Sequence, residues 1–421
     1  MSTYETTTLE NGLRVLTAPL PAAQSVTVAM MLSAGSRYET KDTNGIAHFA
    51  EHMFFKGTEN RPSSRDIAGE VDSIGGEFNA FTGKEYTGYY VRCAAEHTDV
   101  ALDVLVDMLR RSKFEPEEIE REKGVIIEEM NMYFDTPRDY IGGVYEELLY
   151  GDQPLGWDII GRKETVRAAT RDTFMEYLDH WYKPERWVVG IGGRIDGDVR
   201  AQVERLLGDL APAATGRPDP VRVPQNGDRV RVHHKTSDQA HICIGVHSYP
   251  LEHPDRYALQ LLATLLGGGM SSRLFIEVRE RRGLAYYVFG TNHSYTDAGS
   301  LYAQAGVDIN RIDEAITTVV EELTRVADES VPVDELEKAR NFAKGRFVLQ
   351  LESPHGLLMH GLRRETLEGR AVEPSEILAA LDAVTLDDVQ RVAGDLLEEQ
   401  RLKLALIGPF EDAERFEKLL P

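Results

Sequence analysis

The sequence predicts an α+β fold made of two homologous α/β domains, each a mixed, mostly antiparallel sheet covered by helices. Its 421 residues exceed the roughly 250–300 residues at which a single hydrophobic core stops growing. An internal repeat also runs through the chain, because segments of similar pattern recur 216 residues apart. The matched pairs are residues 25–30 with 241–246, Pro116 with Pro332, and residues 188–192 with 404–408.

Two hydrophobic periodicities alternate along each half. In the first half, strand-like patterns cover residues 12–18, 25–34, 78–93 and 187–193, and helical patterns cover residues 46–54, 65–74, 97–111, 117–134 and 171–181. Interleaving of this kind predicts mixed sheets that are covered by helices.

The two halves meet in a segment rich in proline and small residues, 211–220, whose composition is typical of an exposed linker. We therefore expect a first domain over residues 1–212, a linker over 213–228 and a second domain over 229–421.

Charge and hydropathy exclude two classes of partner. The chain carries 47 basic and 70 acidic residues, a net charge of −23, whereas nucleic-acid binding depends on neutralising phosphates with basic residues. No segment approaches the ~20 consecutive apolar residues that span a bilayer. We expect neither a nucleic-acid nor a membrane partner.

Cysteine content indicates the compartment. Cys93 and Cys243 lie in strand-like segments, where a buried free thiol is expected, and two cysteines do not make a disulfide framework. Residues 1–13 carry neither a secretory nor an organelle leader pattern. These observations predict a cytoplasmic protein.

The two halves differ in their candidate metal ligands, which occur only in the first half. His48 and His52 are four residues apart in a helical segment, so both imidazoles project from one face and can converge on one ion. The repeat-related segment, residues 257–266, is an apolar helix without histidine. A metal site is therefore predicted in the first half alone.

The helix also carries an acid suited to catalysis. Glu51 stands one residue before His52, on the flank of the histidine face, and completes the inverted His-x-x-Glu-His pattern of zinc peptidases. Its carboxylate can take a proton from water without being a ligand. Two imidazoles, one carboxylate and an open position suit zinc.

A later helical segment offers the carboxylate ligand. Glu122 and Glu129 are seven residues apart and share one helix face, whereas Glu128 points about 100° away from Glu129. We expect Glu129 to be the third ligand and Glu122 to support a ligating imidazole. Glu128 is expected to be solvated or ion-paired.

Over its whole length the chain resembles the pitrilysin/insulinase family of zinc peptidases, especially the two-domain branch that includes mitochondrial processing peptidases and bacterial relatives. The resemblance is carried by residues 48–58, which match the metal helix, and by residues 122–129, which match the distal glutamate pair. Seventy-six residues separate His52 from Glu129, as in that family. The resemblance implies the same ligand, Glu129, and the same supporting acid, Glu122.

Residues 75–82 resemble the family's substrate-binding edge strand. The resemblance implies that Asn79, Ala80 and Phe81 bind an extended peptide through backbone pairing, with Asn79 near the scissile carbonyl. In the second half, residues 279–286 resemble the family's arginine and tyrosine pair. This implies that Tyr286 donates to a developing oxyanion and that Arg279 binds a substrate carbonyl or carboxylate.

The expected function is a zinc metalloendopeptidase with one Zn²⁺ per chain, acting on unfolded or extended peptides. Longer family members have four repeats, so the resemblance implies that two chains build one chamber, as a homodimer or as a heterodimer with an inactive paralogue. Two alternatives remain: a noncatalytic or heterodimer-dependent subunit of a processing-peptidase-like complex, and a metal-binding protein without hydrolytic activity.

Overall fold

The computed structural model describes residues 2–214, 216–224, 227–397 and 401–420. They form two compact units, each assembled from three separate segments of the chain. The first unit comprises Met1–Met130, Asp158–Asp219 and Val348–Pro374, and the second comprises Asn131–Trp157, Pro220–Phe347 and Ser375–Pro421.

Groups of strands and groups of helices follow one another along the chain. The strands are β1 (Glu5–Thr8), β2 (Arg14–Pro19), β3 (Ser25–Leu32), β4 (Glu77–Thr82), β5 (Thr87–Ala94), β6 (Trp187–Gly193), β7 (Val230–His234), β8 (Gln239–Ser248), β9 (Ala285–Ser294), β10 (Gly299–Asp308) and β11 (Lys403–Gly408). The helices are α1 (Ile46–Met53), α2 (Ser64–Ser73), α3 (Thr98–Arg111), α4 (Pro116–Asp135), α5 (Pro137–Tyr150), α6 (Lys163–Ala168), α7 (Arg171–Trp181), α8 (Val199–Leu207), α9 (Arg256–Gly267), α10 (Ile312–Asp328), α11 (Val333–Gln350), α12 (Pro354–Glu368), α13 (Pro374–Ala383), α14 (Leu386–Leu396) and α15 (Ala413–Glu417).

The first unit is built on a six-stranded sheet in the order β1-β2-β6-β3-β5-β4. Strands β2 and β6 run parallel, and the other neighbours run antiparallel. Helix α12 packs on this sheet, and glycines in β6 allow a close approach: a Cβ at Gly192 would lie 2.7 Å from the Leu358 Cβ. Strand β4, which lies next to the candidate site, is an edge strand of this sheet.

The second unit is built on a five-stranded sheet in the order β7-β11-β8-β10-β9. Helix α5 packs on it, and its residues Ile141, Tyr145 and Leu149 share a core cluster with Cys243 and Ile407. Strands β7 and β11 run parallel, as β2 and β6 do in the first unit.

The internal repeat is visible in the strand order, because β2-β6-β3-β5-β4 and β7-β11-β8-β10-β9 follow the same sequence of neighbours. Each sheet is mostly antiparallel and is covered by helices. The predicted fold class is therefore confirmed.

The structure differs in two details from what the sequence predicted. The strand-like run 78–93 is two strands, β4 and β5, because the chain reverses at residues 83–86, where the Gly83 N–H donates to the Tyr86 carbonyl at 2.8 Å. The compact units are also discontinuous, whereas contiguous domains of 1–212 and 229–421 were expected. The reason is that α5 packs on the β8–β11 pair and α12 on the β3–β6 pair.

Both cysteines are free and buried, Cys93 in β5 and Cys243 in β8. Among the described helices, none combines the length and apolar character needed to cross a bilayer.

Candidate functional site

Helix α1 carries His48, Glu51 and His52, and its start is set by backbone geometry. The helix follows Gly45, whose φ of +97° lies in the left-handed region that favours glycine. A Cβ at Gly45 would also lie 2.8 Å from the carbonyl oxygen of Ile160. No larger residue fits at this position without moving the helix.

The buried carboxylate of Glu39 caps the N-terminus of α1. It accepts hydrogen bonds from the backbone N–H groups of Gly45 and Ala47, each at 2.8 Å, and from the Asn44 side-chain amide at 3.0 Å. Burial raises the pKa of Glu39 to about 8, although the three donors act in the opposite direction. Because the first N–H groups of a helix lack partners within it, Glu39 holds the turn from which His48 projects.

One face of α1 is buried and the other carries the two histidines. The buried residues are Ile46, Ala47, Phe49, Ala50 and Met53. On the other face, the rings of His48 and His52 lie with their centroids 4.7 Å apart. The helical period therefore brings the two imidazoles together, as the spacing predicted.

Helix α4 brings Glu122 and Glu129 to His52. Glu122 Oε1 lies 2.9 Å from His52 Nδ1, and Glu122 Oε2 lies 2.5 Å from the Lys56 ammonium. Glu129 faces the other ring nitrogen, with Oε2 at 3.5 Å from His52 Nε2. Glu122 is thus placed to orient the imidazole, and Glu129 lies on the side where a metal would bind.

His48, His52 and Glu129 form a group that could hold one metal ion. Their ligand atoms all lie within 4.8 Å of one another, and Glu129 Oε1 is 3.7 Å from His48 Nε2. A tetrahedral zinc with bonds of about 2.0–2.2 Å separates its ligands by about 3.4 Å. The separations and the two imidazoles with one carboxylate therefore fit zinc.

The protonation of His48 suits a ligand. Burial, together with the smaller effect of the neighbouring His52, lowers the pKa of His48 to about 3. A neutral imidazole keeps a lone pair for a metal. Nδ1 of His48 is buried without a hydrogen-bond partner in the described chain, whereas Nδ1 of His52 is held by Glu122.

Glu51 lies beside this group but is not part of it. Its Oε2 accepts a hydrogen bond from the Thr82 hydroxyl at the end of β4. Burial raises the pKa of Glu51, while the Thr82 hydrogen bond acts to lower it. A carboxylate with a raised pKa next to a metal site is suited to accept and return a proton.

The edge strand β4 presents alternate residues to its free side. In an antiparallel ladder the N–H and C=O of one residue point the same way, and the direction alternates along the strand. Gly83 is hydrogen-bonded to Tyr86, and β4 pairs with β5 in continuous register. The backbone groups of Phe78, Ala80 and Thr82 therefore face the free edge.

The three residues expected to bind substrate are placed differently from one another. Ala80 faces the free edge, whereas the same alternation turns the backbones of Asn79 and Phe81 toward β5. Asn79 is exposed, and its side-chain oxygen accepts from the Ala80 N–H at 2.8 Å. The Phe81 ring covers Gly88, where a Cβ would lie 2.2 Å from it.

Arg279 and Tyr286 lie together in the second unit. Arg279 belongs to a π-helix, Phe275–Arg281, and its guanidinium lies 5.8 Å from the Tyr286 ring centroid. Tyr286 is 73% exposed, whereas the Tyr287 hydroxyl lies 2.9 Å from His241 Nδ1. Of the two adjacent tyrosines, Tyr286 is the one whose side chain faces solvent.

Three contacts of the site were not anticipated from the sequence: the Glu39 cap, the Lys56 partner of Glu122 and the Thr82 partner of Glu51. Lys56 stands four residues after His52, a spacing that could have indicated a shared face. Glu39 and Thr82 reach α1 from other segments, so no local pattern indicates them. Glu128 is exposed and lies outside the metal group.

Comparison with protein-family models gives two matches. Residues 14–162 match the model described as insulinase (peptidase family M16), and residues 168–342 match the model described as the peptidase M16 inactive domain. The metal group and Glu51 fall within the first match.

Curated relatives are similar over nearly the whole chain. A protein of Bacillus subtilis named uncharacterized zinc protease YmxG is 38% identical, over 96% of this chain and 97% of the relative. An uncharacterized zinc protease of Streptomyces coelicolor is 37% identical, over 98% of this chain and 91% of the relative.

Solved structures share the fold. A protease from Helicobacter pylori superposes with a TM-score of 0.90 at 23% identity, over 97% of this chain and 100% of the other. A peptidase M16 inactive domain from Pseudomonas fluorescens gives a TM-score of 0.89 at 17% identity, over 97% of this chain and 98% of the other.

Proposed function

The chain belongs to the insulinase family, peptidase family M16, and on that premise we propose that it is a zinc metalloendopeptidase acting on extended peptides. One observation carries the proposal: the ligand atoms of His48, His52 and Glu129 converge within 4.8 Å, with Glu51 beside them. The second family model is described as an inactive domain, but it covers residues 168–342, which include none of these four side chains.

Zinc is the metal that the donor set supports. When bound, it would polarise the peptide carbonyl and lower the pKa of water toward ~7. His48, His52 and Glu129 would hold one ion per chain. Glu122 would keep a proton on His52 Nδ1 and so direct Nε2 toward the ion, a supporting role that acidic residues often have at such sites.

Glu51 would serve as general base and then as general acid. It takes one proton from the attacking water as the oxygen forms its bond to the carbonyl carbon. It then returns the proton to the amide nitrogen as the carbon–nitrogen bond breaks, so that the carboxylate is regenerated. Proton transfer of this kind contributes typically 10²–10⁴-fold to the rate.

The substrate class follows from the edge strand. Backbone groups of Phe78, Ala80 and Thr82 line the free edge of β4, although the Ala80 N–H already donates to the Asn79 side chain. These edge groups can pair with a peptide only if the peptide's own N–H and C=O groups are not already bonded. Unfolded or extended peptides meet this condition, and folded proteins do not. We therefore expect peptides or unfolded segments to be the substrates.

We further propose that two chains form the working enzyme, with Arg279 and Tyr286 of each chain serving the metal site of its partner. The exposure of Tyr286 at 73% leaves its hydroxyl available for such a role. A homodimer would give two equivalent sites. A heterodimer with an inactive paralogue would give one. The two buried free cysteines support a reducing compartment, and we propose the cytoplasm.

A direct test is cleavage of an internally quenched peptide by the purified chain, before and after treatment with a chelator and after adding zinc back. The proposal predicts cleavage that chelation abolishes and zinc restores. A chain that binds zinc but cleaves no peptide, alone or in a dimer, would instead be a metal-binding or noncatalytic subunit.

A further inference from the structure

Thr82 makes a contact that links the edge strand to the catalytic acid. It is the last residue of β4, and its hydroxyl donates to Glu51 Oε2. Within the described residues, Thr82 is the one hydrogen-bond donor to this carboxylate. The position of the Glu51 oxygens therefore depends on a residue of another element.

The backbone that carries Thr82 is itself held in place. Immediately after Thr82, the Gly83 carbonyl accepts from the Ser36 N–H at 3.1 Å, and the Arg37 N–H donates to the Lys84 carbonyl at 2.8 Å. The side chains of Arg37 and Glu85 form a buried ion pair at 2.5 Å. These contacts hold the backbone next to Thr82 in place.

A hydrogen-bond donor restricts the orientation of a glutamate base. The last side-chain torsion angle of glutamate has a broad distribution, so without a partner the carboxylate samples many orientations. With Oε2 engaged by Thr82, Oε1 is the oxygen that remains for the proton of the attacking water. Misplacement of a reacting group by about 1 Å can cost 10²-fold in rate.

We propose that Thr82 is a positioning residue for the general base. From the strand that would pair with the substrate, its hydroxyl orients the Glu51 carboxylate. This rests on the proposed peptidase function. The backbone N–H and C=O of Thr82 face the free edge, while its side chain holds Glu51. One residue thus connects the peptide-binding edge to the proton-transfer group.

Kinetics of Thr82 variants test the proposal. Thr82→Val keeps the size and β-branched shape but removes the hydroxyl, and Thr82→Ser keeps the hydroxyl. We expect kcat of Thr82→Val to fall about 10- to 100-fold with KM and zinc content within twofold of the parent. Thr82→Ser should recover most of kcat. An unchanged kcat, or a change confined to KM, would overturn the proposal.

A double-mutant cycle separates positioning from a general structural effect. In a Glu51→Gln background, Thr82→Val should change the residual rate by less than about twofold, because the hydroxyl acts through Glu51. An additive loss would show that Thr82 acts by another route. If Thr82→Val does not fold, as judged by thermal unfolding, Thr82→Ala takes its place in the cycle.

Crystal structures of the parent and of Thr82→Val supply a readout that does not depend on activity. We expect one Glu51 rotamer in the parent and a changed or divided rotamer in the variant. An unchanged rotamer would refute the positioning role even if the chain cleaves no peptide. A parent without chelator-sensitive cleavage would refute the peptidase function instead.

Discussion

His52 is held between two glutamates of one helix: its Nδ1 lies 2.9 Å from Glu122 Oε1, and its Nε2 lies 3.5 Å from Glu129 Oε2. Each ring nitrogen of this imidazole therefore faces a different carboxylate. Glu122 is buried and Glu129 is partly exposed, so the Glu122 contact lies inside the first unit and the Glu129 carboxylate is accessible to solvent.

Glu122→Gln should weaken zinc binding about 10- to 100-fold, because an amide orients the imidazole less well than a carboxylate does. Lys56, 2.5 Å from Glu122, would also lose its ionic partner. Competition with a chromogenic chelator measures the affinity. Glu120→Gln, on an exposed position of the same helix, is the matched control and should bind zinc as the parent does.

Glu51→Gln should retain about one zinc per chain and lose at least 10²-fold in turnover, since it removes the proposed general base and leaves the three proposed ligands. His52→Ala should lose the metal first. Metal analysis and peptide cleavage on the same samples distinguish the two. Release of zinc from Glu51→Gln, with residual activity proportional to metal content, would make Glu51 a ligand.

Glu129→Gln should weaken zinc binding strongly, whereas Glu128→Gln should leave affinity and activity within a few-fold of the parent. The reason is helix phase: Glu129 lies with His48 and His52 in the metal group, and Glu128 is exposed. Titration of both variants with zinc checks this. Equal losses would mean that α4 presents another face to the histidines.

At pH 4.5, where the Glu39 carboxyl is protonated in the folded chain, Glu39→Gln should destabilise the first unit. The amide nitrogen of glutamine cannot accept the hydrogen bonds that Gly45, Ala47 or Asn44 donate to the carboxyl oxygens. An unsatisfied buried donor costs about 1–3 kcal/mol. Urea unfolding of parent and variant measures the difference. Glu96→Gln, an exposed position, is the control.

The same carboxyl predicts a pH dependence. Burial raises the pKa of Glu39 from its ordinary value of 4.5 to about 8 in the folded chain, so between these values the folded state holds a proton that the unfolded state has released. Its contribution to stability is full below pH 4.5 and is lost as pH rises toward 8, by about 1.4 kcal/mol per pH unit. Glu39→Gln should lack this slope. Equal slopes in both chains would contradict the raised pKa.

Mixing of inactive chains tests the two-chain enzyme. If Tyr286 serves the partner's metal site, Glu51→Gln chains combined with Tyr286→Phe chains should regain activity, because each mixed dimer contains one complete site. Activity is measured after subunit exchange, which native mass spectrometry follows. A mixture that exchanges but stays as inactive as its components would place the tyrosine in its own chain's site.

Local patterns in the sequence determined the repeat and the metal helix. Side chains spaced four or seven residues apart lie on the same face of a helix, because the helical period is set by backbone geometry alone. His48 and His52 on α1, and Glu122 and Glu129 on α4, therefore lie where their spacing predicted. The alternating strand patterns likewise predicted the two sheets.

Contacts between distant segments were decided by the tertiary structure. Glu39 reaches Ala47, and Thr82 reaches Glu51, because turns and strand pairing bring these segments together. Packing decides which unit α5 and α12 belong to. Strand register decides that the backbone of Ala80 faces the free edge, whereas the backbones of Asn79 and Phe81 face β5. Periodicity along one element carries no information about which other element will lie against it, since packing free energy is shared among residues far apart in the chain.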